Sequence, residues 1–119
     1  MPYYTYLTDC AVSLKISAYK GKSHNLCIFI YLDKQPYCSL TVNLNESILP
    51  FQAFIDTYNL DWVVDFITEN KLGYYAGNTR KVKRCEYPLF CFYPERLYVC
   101  SPVDYDIYVR GVNYERKTD

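Results

Sequence analysis

The segment Val12-Ser13-Leu14-Lys15-Ile16-Ser17-Ala18-Tyr19 alternates apolar and polar residues without interruption. A period of two gives a strand one apolar face and one polar face. Lys20-Gly21-Lys22-Ser23 is turn chemistry, and Asn25 to Asp33 follows as a nearly continuous apolar run, the pattern of a central strand. Asp33-Lys34-Gln35-Pro36 predicts a second turn, after which Tyr37 to Leu44 alternates again. Three strands joined by short polar turns predict an antiparallel meander.

Working outward, Asn45 to Pro50 breaks the pattern and Ala53-Phe54-Ile55 predicts a short strand. The period then changes. Leu60, Val63, Val64 and Ile67, widened by Phe66, form one helical stripe, so a helix is expected over about 60–71. Asn59 is placed to cap it and Gly73 to end it. Tyr74 to Thr79 predicts a loop, and Cys85 to Tyr93 a strand in which Pro88 marks an edge or a bulge. Leu97 to Cys100 and Tyr105 to Val109 are two further strand candidates, and the polar segment from about 113 predicts a tail. The expected architecture is one α+β domain over 1–119. It is predominantly an antiparallel sheet of five to six strands, with one main amphipathic helix on a face.

Half of the 119 residues are apolar and 22% are charged, so a packed core is expected rather than wholesale disorder. Thirteen basic residues balance thirteen acidic ones, which excludes a global electrostatic grip on nucleic acid or acidic lipid. The start Met1-Pro2-Tyr3-Tyr4-Thr5-Tyr6 lacks the pattern of a signal peptide, and no apolar run approaches the roughly 20 residues of a membrane helix. A cytoplasmic protein without membrane partners is expected. Fifteen tyrosines suit strands with one wet face and also suit an interface.

Catalytic chemistry has few candidates. The six cysteines, Cys10, Cys27, Cys38, Cys85, Cys91 and Cys100, lack zinc-site spacing, so no metal is expected and buried free thiols are. His24 is the lone imidazole and is expected in a solvent-facing turn. Asp104 and Asp106 flank Tyr105 and could hold a metal, although a surface strand gives the same pattern. No glycine-rich phosphate loop occurs, so neither a catalytic residue nor a cofactor is assigned.

Two charged features remain. Asp61, Asp65 and Glu69 follow one another at i, i+4, with Asp56 just upstream, and could present a negative ridge to a basic groove. A solvated helix face predicts the same stripe. Arg80, Lys81, Lys83 and Arg84 form a basic cluster near Tyr74, Tyr75 and Tyr87, which could track a nucleic acid strand by phosphate contact and stacking. A solvated loop leading into an edge strand, where cations discourage aggregation, is the simpler explanation.

Leu40-Thr41-Val42-Asn43-Leu44, Ala53-Phe54-Ile55-Asp56-Thr57, Phe66-Ile67 with Asn70-Lys71-Leu72-Gly73, and Tyr87-Pro88-Leu89-Phe90 ahead of Phe92 occur in this order. As a set they resemble an uncharacterised family, a domain of unknown function common on phages, plasmids and conjugative elements of Firmicutes and gut bacteria. The resemblance covers roughly residues 12–97. This chain departs from the family pattern at Tyr58-Asn59 and at Lys83-Arg84-Cys85-Glu86, which suggests a divergent member with an added tail after residue 97. The resemblance carries no catalytic residues. It implies a non-enzymatic accessory protein that binds a host protein, such as a defence nuclease inhibited in the manner of an anti-CRISPR protein. The alternative is a nucleic-acid-binding accessory protein using the basic cluster.

Overall fold

A computed structural model describes residues 12–20 and 24–118, with 113–118 described by their backbone alone. Cys10, most of the turn expected at 20–23 and the start of the chain lie outside the described residues. The alternating segment forms strand β1 (Val12–Ala18), with Val12, Leu14 and Ile16 buried and Ser13, Lys15 and Ser17 exposed. It pairs antiparallel with β2 (Leu26–Leu32), placing Leu14 opposite Ile30 and Ile16 opposite Ile28. Strand β3 (Gln35–Ser39) completes a sheet of order β1-β2-β3. The expected meander is present.

Its second turn is tighter than expected. Asp33 and Lys34 alone reverse the chain, both at positive φ (50° and 67°), the backbone sense that matches strand twist in a two-residue hairpin. Gln35 and Pro36 therefore belong to β3, and Pro36 is tolerated because β3 is an edge strand with a register shift opposite it.

The strand expected over 37–44 divides at Leu40, where the chain changes sheets. The Leu40 N–H donates to the Ile28 carbonyl of the first sheet at 2.9 Å, while its own carbonyl accepts from Asp56 N–H at 3.0 Å. Beyond it, β4 (Thr41–Val42) pairs with β5 (Gln52–Ile55) in a second antiparallel sheet. That sheet has the order β4-β5-β7-β6, with β6 spanning Gly73–Val82 and β7 spanning Cys85–Phe92. Residues 74–79, expected as a loop, are strand. Their Gly77-Asn78 signal marks a bulge instead. Tyr75 pairs with Phe90 and Thr79 with Pro88, so three residues of β6 oppose one of β7. Pro88 lies beside that irregularity, although β7 is an interior strand.

Helix α1 (Val63–Glu69) is shorter than the expected 60–71. Trp62, not Asn59, is its N-cap, and Lys71 takes the positive φ (55°) after its end. Gly73 already belongs to β6, so it ends no helix. The two late strand candidates are helices, α2 (Pro94–Cys100) and α3 (Pro102–Thr118). Pro94 supplies the preset φ of a first helical residue, with Glu95 in the favourable first turn. Ser101 stands before Pro102 and donates from Oγ to the Asp104 carboxylate at 2.7 Å. These start signals outweigh the strand preference of tyrosine and valine. Helix α3 continues through the segment read as a tail.

The protein is α+β, and the described residues form two antiparallel sheets of three and four strands and three helices. Ile28, Ile30, Leu40, Ile55, Phe66 and Leu97 come from both sheets, α1, α2 and the Leu40 crossover, and all join one sealed apolar cluster. Burying each such side chain contributes about 1.5–3 kcal/mol. No helix among the described residues is long and apolar enough to cross a membrane.

Candidate functional site

Asp56 follows β5 and turns inward. It is buried, and its carboxylate accepts from the Asn59 N–H at 3.1 Å and from Asn59 Nδ2 at 2.9 Å. Its carbonyl accepts from Leu60 N–H at 3.1 Å. Asp56 therefore builds the turn into α1 and offers no exposed carboxylate to a ridge. The other three acids are exposed, Asp61 in the turn before α1 and Asp65 and Glu69 one turn apart on the helix. Val63, Phe66 and Ile67 occupy the buried side of α1.

Glu69 stands at the C-terminal end of the helix dipole, where a carboxylate is disfavoured, and the last turn holds no basic residue. The cation at that end comes from α2, whose Arg96 donates to the Asn70 carbonyl at 3.1 Å. None of Asp61, Asp65 and Glu69 is ion-paired among the described residues.

Arg80 and Lys81 lie on β6, an edge strand, while Lys83 and Arg84 form the turn to β7. All four are exposed. Strand β5 pairs with β7 only from Leu89 to Cys91, so residues 79–88 form a two-stranded ribbon beyond β5. Arg80 is tied back to the loop after β4: its Nε donates to Glu46 Oε2 at 2.8 Å, and a second guanidinium nitrogen donates to Oε1. That pairing lowers the pKa of Glu46 and raises that of Arg80. Beneath the pair lies a cleft of about 350 Å³ floored by Phe54 and Leu89. Lys81, Lys83 and Arg84 make no ion pair among the described residues.

Aromatic rings gather where β6 meets α2. Tyr74 lies 5.5 Å from Tyr93, and Tyr75 lies 6.1 Å from Phe90. The Tyr75 hydroxyl spans the bulge to Thr79 Oγ1 at 2.8 Å. Tyr98 packs edge-on to Tyr105 at 5.4 Å. Val99 of α2 and Val103 and Ile107 of α3 are 62–72% exposed. These exposed apolar residues were not anticipated from the sequence, because 97–100 and 105–109 read as strands and Val103 fell between them. The Ser101-Pro102-Val103-Asp104 start and the spacing of Val103 and Ile107 are the signals that reveal them.

His24 departs from expectation. It is half-buried, stacks on Tyr108 with ring centres 5.6 Å apart, and its Nε2–H donates to the Tyr108 carbonyl at 3.3 Å. A Cβ at Gly111 would strike this ring at 2.2 Å, so glycine there lets α3 approach. Asp104 accepts from Ser101 while Asp106 is exposed farther along α3, an arrangement set by helix entry. Among the described residues no group of three metal-ligating side chains converges. The five described cysteines are free thiols, Cys27 buried and the others partly so. Burial raises the thiol pKa of Cys27, Cys38 and Cys100.

No curated protein and no solved structure matches this chain. A family model described as a domain of unknown function, DUF4313, matches residues 13–112. The match runs past residue 97 and through the first part of α3, so the segment expected as an added tail falls largely inside the family domain. The chain belongs to the DUF4313 family.

Proposed function

We propose that this protein is a non-enzymatic binding protein that presents the acidic side of α1 to a basic surface on another protein. The observation carrying this reading is Glu69, exposed, unpaired among the described residues and at the helix end where a carboxylate costs stability. Helix stability alone would favour a cation there. With Asp61 and Asp65 it offers three free carboxylates near one another in sequence. The resemblance to mobile-element proteins adds the kind of partner, a host defence nuclease whose nucleic-acid groove is basic. Cytoplasmic action as an inhibitor is part of the same reading.

Replacing Asp61, Asp65 and Glu69 together with lysine should leave the far-UV circular dichroism and melting curve nearly unchanged. Binding to a partner recovered by nuclease-treated pull-down should weaken by about tenfold or more, the equivalent of ~1.4 kcal/mol. Added salt should reproduce much of the loss in wild type by slowing association. A folded triple variant that binds like wild type would remove α1 from the interface.

The projecting ribbon favours a second reading, binding of nucleic acid. A two-stranded β-ribbon can enter a major groove, and Lys81, Lys83 and Arg84 lie at this one's tip. That reading requires a salt-sensitive gel shift that disappears when Arg80, Lys81, Lys83 and Arg84 are neutralised. Partner-protein binding unaffected by the same substitutions supports the first reading.

A further inference from the structure

Helix α3 has two apolar sides. Tyr105, Tyr108, Val109 and Val112 belong to the core or pack against it. Val103 and Ile107 stand 72% and 62% exposed. At about 100° per residue these two lie within about 40° of each other and on the side away from Tyr105 and Val112, with Ile107 also bordering a cleft against β1 that Ile16, His24 and Tyr108 line. A surface helix normally turns polar residues outward, and grouped exposed apolar side chains mark an interaction surface. Val99, also exposed at 70%, stands near the end of α2, the helix that precedes α3.

The same outward side carries Asp106 and Arg110, one turn apart and both exposed. Neither is ion-paired among the described residues. The acidic-to-basic order along α3 makes the surface complementary to itself. Two such helices laid antiparallel set each Asp106 opposite the other's Arg110, with Ile107 meeting Ile107 near the two-fold axis. An isologous interface requires this reciprocity. At 17 residues α3 is about 25 Å long, enough to hold the full set of contacts. Among the described residues this side of α3 carries one charge of each sign, so it offers no net charge to a basic or an acidic partner.

We propose that the outer side of α3 pairs with a second copy of this chain to form an antiparallel, two-fold symmetric dimer. The proposal does not depend on what α1 binds.

Sedimentation equilibrium of the full chain over a concentration series should show mass rising from that of one chain to that of two. Ile107→Glu should raise the dimer dissociation constant by about tenfold or more while leaving the circular dichroism unchanged, because the side chain is exposed. Asp106→Arg and Arg110→Asp should each weaken self-association. Mixed, the two variants should form a heterodimer, since the first then carries two cations on this side of α3 and the second two carboxylates. A monomer at every concentration overturns the proposal, as does a dimer indifferent to Ile107→Glu. Failure of the mixed pair to associate overturns the antiparallel arrangement.

Discussion

At Gly73 a Cβ would stand 2.3 Å from the carbonyl oxygen of Cys91, so the β6 backbone approaches β7 more closely than any side chain permits. Gly73→Ala should cost up to about 3 kcal/mol, because backbone must move to admit the methyl group. Gly77 tests the opposite case: open space surrounds it, but its φ is 92°. Gly77→Ala should cost about 1 kcal/mol from backbone strain alone. Urea unfolding midpoints should rank the two variants in that order. The thiol of Cys38 is pushed up to about 11 from its ordinary value of 9.0 by burial, with the nearby charge of Asp56 adding to the effect. Below about pH 9 this thiol is neutral in both folded and unfolded chains and affects neither. Between about 9 and 11 the unfolded chain releases the proton and the folded chain resists, so stability should fall as pH rises. Cys38→Ala should flatten that fall, as read by unfolding free energy against pH.

Ser101 ties the start of α3 to Asp104 and is itself buried. Ser101→Ala should cost about 1 kcal/mol, within the range of a lost helix cap. Asp104→Ala should cost a similar amount, and the double variant less than the sum, because both remove one hydrogen bond. Thermal melts of the three proteins check this. The meander was legible because Val12, Leu14 and Ile16 alternate strictly with Ser13, Lys15 and Ser17, and only a sheet uses that period. The α2–α3 pair was not, since Tyr98, Val99, Tyr105, Ile107 and Tyr108 favour strands locally and only Pro94 and Ser101-Pro102 signal otherwise. Gly77 and Asn78 suggested a loop and proved to be a bulge, which uses the same backbone freedom. At the candidate site the exposure of Asp65 and Glu69 on α1 was legible from their spacing, whereas Asp61, expected on the same helix, lies in the turn before it. The inward turn of Asp56 was not legible, because it depends on bonds to Asn59 and Leu40.

Leu40 is fully buried and joins two sheets that share one core. Trp62 fluorescence and far-UV circular dichroism should therefore report a single coincident unfolding transition. Leu40→Ala should destabilise by about 2–5 kcal/mol and move both probes together. Separate transitions would mean that the sheets unfold independently. The docking of α3 on β1 has a further consequence for how the chain is made. His24 and Tyr108 meet across 84 residues, and the helix that covers β1 follows every other described element in translation. The first sheet can pair its strands as soon as Ser39 emerges, yet Leu14 and Ile16 must wait for distant partners. Contacts of such long range slow folding, and exposed apolar strands at that stage invite chaperones or aggregation. The nascent protein is thus most vulnerable while its most regular element is already complete.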